Sequence, residues 1–357
     1  MFKNKLFFLI ISLIFVSCQP PEITPDPSGT IPKLVTENPT PEVVALYNYL
    51  QEIYGQQTLS ATVANVSWNT NEAQWVYART GKYPAINVFD YIHLWASPAN
   101  WIDYGDISVV EDWHKQGGIV GCMWHWNVPV GNGASSVTFR PEETTFKTEN
   151  AVKSGTWENI AVKADFEKIA SYLTLLKNKN IPVIWRPLHE AAGNIGKYPN
   201  GTAWFWWGNS GAEAYKNLWR YMYNVFQQKG LNNLIWVWTS ETGDPDWYPG
   251  DEYVDIIGRD KYNEHNISIL TNEFNKLSTA YPKKLISLSE CGNVAQIPAQ
   301  FNAGAHWLWF MPWYDYERTS DTSSAAFQQT DHQHGNVDFW NAAWNDERVL
   351  SRDEVEL

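Results

Sequence analysis

The sequence predicts an α/β protein built as a single (β/α)8 barrel, also called a TIM barrel. Eight short apolar runs alternate with amphipathic helical segments, which is the repeat of a parallel barrel. The length of 357 residues suits one such barrel without a second domain. The fourth and seventh runs end in glutamates, Glu190 and Glu290. Ionisable groups at the carboxyl ends of barrel strands mark the face that carries a functional site.

The elements follow in order along the chain. A helical pattern over residues 42–54 ends at Gly55 and precedes the barrel. The predicted strands are 58–62, 84–90, 118–125, 181–187, 234–239, 254–258, 284–289 and 305–310. Further helices are expected near 71–79, 108–116, 157–179, 212–228 and 268–280. Two long polar stretches, 126–156 and 191–202, are expected to form loops at the functional face.

The first 41 residues have the composition of an export and anchoring segment. Residues 1–17 hold two lysines followed by a short apolar run and are predicted to be a lipoprotein signal peptide. Cys18 comes directly afterwards and is predicted to be lipidated; the alternative is an ordinary cleavage site with an incidental cysteine. The remainder of 18–41 is rich in proline and predicts an extended tether, with the barrel domain at 42–357. We expect an outer-membrane lipoprotein, with the periplasmic face favoured over the cell surface because Glu22 is the one acidic residue shortly after Cys18.

The amino-acid composition limits the kinds of ligand and partner that we expect. A formal net charge of -13 disfavours nucleic acid. The 21 tryptophans suit stacking on sugar rings, although many must pack in the core. Cys122 and Cys291 could form a disulfide, which the sequence does not decide, and no spacing typical of a structural metal site occurs. We expect a monomer without metal or cofactor.

Two carboxylates at the ends of two barrel strands can cleave a glycosidic bond. Retaining enzymes hold the two groups roughly 5 to 5.5 Å apart, whereas inverting enzymes leave about 6.5 to 9.5 Å for a water molecule. Because both predicted strands end at the mouth of one narrow barrel, the retaining arrangement is favoured. Glu290 would then attack the anomeric carbon, and Glu190 would protonate the leaving oxygen and later activate water.

Other polar residues at strand ends have structural interpretations that we favour. These residues are Asp90, Glu241 and Asp260. Arg186 lies within the fourth strand, where a buried cation needs an anionic partner. Strand alternation places Trp307 and Trp309 on one face; if that face is the lumen, Trp309 forms the floor of a sugar site, and otherwise both pack under helices.

Several segments together resemble glycoside hydrolase family 26, whose best-known members are β-mannanases. They are Trp185-Arg-Pro-Leu-His-Glu190, Trp204-Phe-Trp-Trp-Gly208, residues 248–258 leading to Tyr262, and Leu288-Ser-Glu290. The resemblance spans roughly residues 42–345. It implies that Glu190 is the acid/base and Glu290 the nucleophile. It further implies sugar contacts from His125 and His189, a hydrogen bond from Tyr262 to the nucleophile, and subsites lined by Trp204 and Trp309.

The resulting expectation is a retaining hydrolase of β-1,4-mannosidic bonds in mannan, galactomannan or manno-oligosaccharides. Residues 191–202 separate Glu190 from the tryptophan cluster, unlike the family pattern, and could block distal subsites so that the enzyme releases mannobiose instead of cutting internally. Two alternatives remain: hydrolysis of another β-glycan, such as xylan or mixed-linkage glucan, and a sugar-binding lipoprotein without catalytic activity. Binding alone does not need both glutamates.

Overall fold

The computed structural model describes residues 33–194, 203–241 and 243–357. The predicted signal peptide, Cys18 and most of the predicted tether lie outside these residues, as does much of the insertion at 191–202. Within the described part of the chain, no helix has both the length and the apolar character needed to cross a membrane.

Eight parallel strands form the closed barrel that the sequence predicts, and each is buried along most or all of its length. The strands are β1 (Thr58–Val63), β2 (Ile86–Asp90), β3 (Ile119–Trp124), β4 (Val183–Pro187), β5 (Leu234–Ser240), β6 (Ile256–Tyr262), β7 (Leu285–Gly292) and β8 (Trp309–Pro312). Pairing runs in chain order, and β8 returns to β1 with Trp309 beside Leu59, which closes the barrel. A short strand, Val349–Leu350, also pairs with β1.

Helices surround the barrel and agree with the sequence pattern. They are α1 (Pro41–Ile53), α2 (Asn71–Thr80), α3 (Ser108–Lys115), α4 (Thr148–Ala151), α5 (Trp157–Asn178), α6 (Ala212–Gln228), α7 (Ile267–Ala280), α8 (Ile297–Asn302), α9 (Tyr316–Thr319) and α10 (Val337–Trp344). The six helices predicted from periodicity lie within one residue of their expected bounds. Side chains cap the first turns of three of these helices, α1, α5 and α7. Thr40, Thr156 and Asn266 each accept at least one backbone N–H of the first turn.

The barrel lumen is an apolar core closed at its amino end by α1. Val43, Leu46 and Leu50 of α1 belong to the same buried cluster as Ile184 and Ile235, which point into the lumen. The helices cover the outer faces of the strands in a second apolar cluster. Because the lumen is filled, a ligand can reach the barrel only from the carboxyl ends of the strands.

The domain starts earlier than the predicted boundary at residue 42. Leu34 is buried, the Val35 N–H donates to Asp255 at 2.8 Å, and the Thr36 hydroxyl donates to the Leu234 carbonyl at 2.7 Å. The predicted tether is therefore wrong for these residues. Local composition misled the prediction, because their partners lie about 200 positions away in the chain.

The two cysteines in the described part of the chain are unpaired. Cys122 and Cys291 are both buried and free. They pack as small apolar groups among the residues between strands and helices.

Candidate active site

Glu190 lies in a tight turn three residues beyond β4. Leu188 and Glu190 have φ angles of +50° and +51°, a left-handed conformation that is rare for side chains of this size. The Glu190 carbonyl accepts the Gly193 N–H at 2.9 Å, which closes the turn. Such strained conformations persist where the surrounding structure enforces them, and they cluster at functional sites.

Glu290 reaches the site through an irregularity between β6 and β7. The two strands pair Arg259 with Leu288 and then Asp260 with Glu290, so Ser289 is an extra residue on β7. The Ser289 hydroxyl donates to the Asp260 carboxylate at 2.7 Å. This bulge places the carboxylates of Asp260 and Glu290 side by side at the mouth of the barrel.

The carboxyl groups of Glu190, Asp260 and Glu290 meet at one point. Each contributes an oxygen, and the three oxygens lie within 4.8 Å of one another. One oxygen of Glu190 and one of Glu290 therefore lie no more than 4.8 Å apart, which suits the closely spaced pair of a retaining glycosidase.

Arg186 is the counter-cation of this acidic cluster. Its guanidinium donates to Glu290 at 2.6 Å, to Asp260 at 2.5 Å and to the Thr239 hydroxyl at 2.8 Å. The predicted need for an anionic partner is thus met by two carboxylates. Three carboxylates could also ligate a metal ion, but Arg186 already binds two of them, so their arrangement does not suit a cation site. The absence of a cofactor stays a prediction.

The single positive charge of Arg186 cannot balance the charges of all three carboxyl groups. The pKa values of Glu190 and Glu290 therefore differ from each other. Burial raises the pKa of Glu190 well above its usual range, and the nearby charges of Asp260, Glu290 and Glu241 raise it further. Glu190 therefore keeps its proton, and its carboxyl O–H donates a hydrogen bond to the Asp260 carboxylate. Burial and Asp260 raise the pKa of Glu290 to about 7, against the opposing effects of Arg186 and Tyr262. Glu290 is thus the more acidic of the two glutamates.

Tyr262, at the end of β6, contacts Glu290 from the other side. Its hydroxyl donates to the second carboxylate oxygen at 2.8 Å. Burial and the adjacent Glu290 raise the phenol pKa well above its usual value, so the hydroxyl keeps its proton and remains a donor. Both oxygens of Glu290 therefore have a donor, one from Arg186 and one from Tyr262.

The two histidines singled out in the sequence lie together beside the glutamates. The rings of His125 and His189 meet edge to face with centroids 4.6 Å apart. Asp90 fixes His125 by accepting its backbone N–H at 3.1 Å and binding the ring Nδ1 at 2.5 Å. His189 is buried, its Nδ1 has no hydrogen-bond partner among the described residues, and burial lowers its pKa well below the usual value. A neutral imidazole such as that of His189 can form hydrogen bonds with a sugar hydroxyl.

The tryptophans singled out in the sequence take different positions. Trp204 is 36% exposed and its ring covers Gly193 in the turn after Glu190; its contact with a sugar stays a prediction. Trp309 lies inside the lumen beside Arg186 and Met311, which is the position that the sugar-floor prediction required, but it is only 3% exposed, so its role in a sugar subsite stays a prediction. Trp307 does not share its face; it packs against Phe274 of α7. The reason is that β8 begins only at Trp309, so strand alternation does not apply to residue 307.

Structural roles were favoured for Asp90 and Asp260, and both do bind neighbouring side chains at the site, His125 and Arg186. Sequence reasoning missed a further contributor. Trp313 follows β8 and its ring lies 5.8 Å from His125, so it is the β8 aromatic residue that reaches the mouth. Trp313 directly follows the strand, but the predicted strand end at residue 310 was two residues too early.

The loop over residues 126–156 is ordered around the site. It contains a two-stranded hairpin, Val128–Pro129 with Val137–Thr138, and the short helix α4. The Trp206 N–H donates to the Phe139 carbonyl at 3.0 Å, and the Trp206 indole donates to the Trp126 carbonyl at 2.7 Å. The loop is thereby held against the aromatic segment that flanks Glu190.

Comparison with known proteins gives one consistent family. The family model described as "Glycosyl hydrolase family 26" matches residues 35–334. A mannan endo-1,4-β-mannosidase of Thermothelomyces thermophilus is 36% identical over 280 residues, which is 76% of this chain and 55% of that protein. Mannan endo-1,4-β-mannosidase A of Piromyces sp. is 33% identical over 311 residues, or 84% of this chain and 48% of that protein.

A solved structure extends the similarity to the fold. The family 26 domain of an endo-β-mannanase/endo-β-glucanase from Prevotella bryantii has a TM-score of 0.82 and 39% sequence identity, covering 91% of this chain and 99% of that domain. The chain spans about half the length of the curated relatives it matches. With the match over residues 35–334 and the barrel in common, the chain belongs to glycosyl hydrolase family 26.

Proposed function

We propose that this protein is a retaining glycoside hydrolase that cleaves β-1,4-mannosidic bonds in mannan, galactomannan or manno-oligosaccharides. The observation that carries the reaction type is the close approach of the Glu190 and Glu290 carboxyl groups, within 4.8 Å at the open end of the barrel. Mannan as substrate is supported by the names of the relatives, which are mannan endo-1,4-β-mannosidases.

The first step is attack by Glu290 on the anomeric carbon. Arg186 and Tyr262 hold its two oxygens and aim one of them at the sugar. Both donors favour the ionised form that a nucleophile needs. Glu190 carries the proton for the leaving oxygen, because burial and neighbouring acids keep it protonated. The result is a covalent glycosyl-enzyme and a free chain end.

In the second step Glu190 acts as a base and Glu290 is the leaving group. Once Glu290 is esterified, it carries no charge and no longer raises the pKa of Glu190. Glu190 has also lost its proton and can now take one from a water molecule. The water oxygen attacks the anomeric carbon, the ester bond to Glu290 breaks, and Glu290 leaves as a carboxylate. Each displacement inverts the carbon once, so the product keeps the β configuration.

The test replaces Glu290, the proposed nucleophile. We expect Glu290→Ala to lower kcat on linear manno-oligosaccharides by at least about 10⁴-fold while the Kd for the same ligand changes little, because binding contacts remain. Glu142→Ala, in an exposed turn of the 126–156 loop, is the matched control and should keep wild-type activity. Proton NMR of the first product should show the β anomer.

Three outcomes would contradict the proposal. Hydrolysis that survives in Glu290→Ala would remove its role as nucleophile. An α-configured first product would exclude the retaining mechanism. Wild-type activity on xylan or mixed-linkage glucan that exceeds the activity on mannan would show that mannan is not the preferred substrate.

We propose two modes of action that both fit this reaction, internal cleavage and release of mannobiose from chain ends. The second mode rests on the insertion at 191–202 as a sequence feature, most of which lies outside the described residues. Reduced, end-blocked manno-oligosaccharides of five or six units distinguish the two modes. Internal cleavage from the first minutes would contradict a blocked cleft.

We also propose that Cys18 is lipidated and that the protein is anchored to the outer membrane, with the periplasmic face favoured. The support is the lysine-containing apolar leader followed directly by this cysteine. Cys18→Ala should move the protein from the membrane fraction to the soluble fraction. An unchanged distribution would contradict lipid anchoring.

A further inference from the structure

A second concave site adjoins the candidate active site on the side of Tyr262. It is a cavity of about 290 Å³ between the segments that follow β6, β7 and β8. His334 forms the wall shared with the active site: its ring lies 5.7 Å from that of Tyr262, and both rings pack over Gly292. Since the Tyr262 hydroxyl donates to Glu290, the cavity lies one side chain away from the reacting carboxylate.

The lining of this cavity suits an uncharged polar ligand. It holds amide and imidazole side chains but no lysine, arginine, aspartate or glutamate. The side chains of His265, Gln296 and Gln333 are exposed and make no hydrogen bond to another described residue, so their donors and acceptors are available. Burial and the neighbouring His332 lower the pKa of His334 to about 4, so this imidazole is neutral at pH 7. The lack of a cationic side chain in the lining disfavours phosphate and carboxylate ligands.

The floor of the cavity is apolar and its size is limited. Val294, Ala295 and Phe339 are buried beneath the polar rim. An apolar floor with a rim of amides and imidazoles is complementary to a pyranose, whose C–H face is apolar and whose edge carries hydroxyls. The volume lies at the lower limit of ligand pockets, roughly 300 to 1,000 Å³, and therefore fits one ring better than a chain.

We propose that this cavity binds a single neutral hexopyranosyl branch carried by the main-chain sugar that lies over Glu290, so that the enzyme cuts next to a substituted unit. The inference rests on the proposed function, since it needs a glycan in the cleft. A branch and the main chain then occupy separate sites: the main chain runs along the carboxylates, and the branch passes Tyr262 into the cavity. Gln296 and Gln333 are specificity-determining residues for substituted substrates.

The experiment compares linear and singly branched substrates with the intact domain. Linear mannopentaose and manno-oligosaccharides with one α-1,6-galactosyl unit are digested by the wild type, by Gln296→Trp, which fills the cavity, and by Gln296→Ala with Gln333→Ala, which removes two hydrogen-bonding groups. The control is Gln56→Trp, an exposed glutamine just beyond α1 at the opposite end of the barrel.

We expect wild-type products whose reducing-end mannose bears the branch. Gln296→Trp should lower kcat/KM at least tenfold on the branched substrate and less than twofold on the linear one. The double alanine variant should also lower kcat/KM on the branched substrate, by a smaller factor. Gln56→Trp should change neither. Wild-type products that never carry a branch at the reducing end, or equal losses on both substrates, would overturn the inference while leaving mannan hydrolysis intact. If the wild type cleaves neither substrate, the proposed function itself fails, and this inference fails with it.

Discussion

At the scale of single residues, the site depends on donors that hold Glu290 in its ionised form. Arg186 and Tyr262 each bind one of its oxygens, while burial and Asp260 act in the opposite direction. The pKa of Glu290 is therefore a balance between large opposing contributions, and removal of one donor should shift it upwards.

Tyr262→Phe tests this balance directly. The variant removes a hydrogen bond to a carboxylate, worth about 1.5 to 3 kcal/mol, and should lower kcat/KM by roughly 10- to 150-fold. Because the ionised nucleophile is lost as pH falls, the acidic limb of the pH profile of kcat/KM should move to higher pH. Tyr316→Phe, at an exposed tyrosine, is the control and should leave the profile unchanged. An unshifted acidic limb in Tyr262→Phe would show that this hydroxyl does not set the pKa of Glu290.

At the scale of elements, the turn after β4 and the Trp206–Gly208 turn position the acid. They approach so closely that a Cβ atom on Gly208 would lie 1.9 Å from the carbonyl oxygen of Ala191, the residue after Glu190. No side chain can be accommodated there without backbone movement. The glycine at position 208 is therefore part of the geometry that places Glu190.

We expect Gly208→Ala to displace Glu190 and lower kcat by about 10- to 100-fold, since misplacement by about 1 Å has effects of that order. Gly131→Ala is the matched control in the neighbouring loop, because a Cβ there would meet its nearest atom at an ordinary distance of 3.6 Å. Circular dichroism and thermal melts of both variants separate misplacement from unfolding. A Gly208→Ala enzyme with wild-type kcat would contradict the positioning role.

The elements also show which parts of the site the sequence could predict. Glu190 and Glu290 were found because each follows an apolar run, which is a local signal. The pairing of Asp260 with Glu290 depends on the bulge at Ser289, and the burial of Trp309 depends on where β8 begins. A shift of one or two residues in register decides both, and periodicity does not define strand ends that sharply.

At the scale of the whole molecule, the barrel was predictable because its repeat is visible in short segments. The packing of residues 34–36 against the barrel could not be predicted, because it depends on a contact between Val35 and a residue more than 200 positions later. Asp255 makes that contact: it accepts the Val35 N–H and the Trp236 N–H, both at 2.8 Å, and so joins the start of the domain to β5.

Asp255 makes the stability of this junction depend on pH. Burial raises its pKa to about 7, although both backbone donors and Lys284 oppose the shift, whereas an unfolded aspartate titrates near 3.9. Between these values the folded state binds a proton that the unfolded state lacks, so this contribution is complete below about pH 4 and is lost as pH rises to about 7. An upward shift of about three pKa units corresponds to at most about 4 kcal/mol.

Asp255→Asn cannot titrate, and comparison with the wild type isolates this contribution from the other ionisable groups. Denaturant unfolding at several pH values should show the variant at its greatest disadvantage near pH 4, because its amide accepts through one oxygen and meets a backbone N–H with its nitrogen. The disadvantage should shrink as pH rises to 7 and stay constant above it. The matched control is Asp112→Asn, which removes a carboxylate from an exposed position of α3. A constant difference between wild type and Asp255→Asn from pH 4 to 8 would mean that Asp255 is ionised throughout and that the N-terminal segment is held by a charged group.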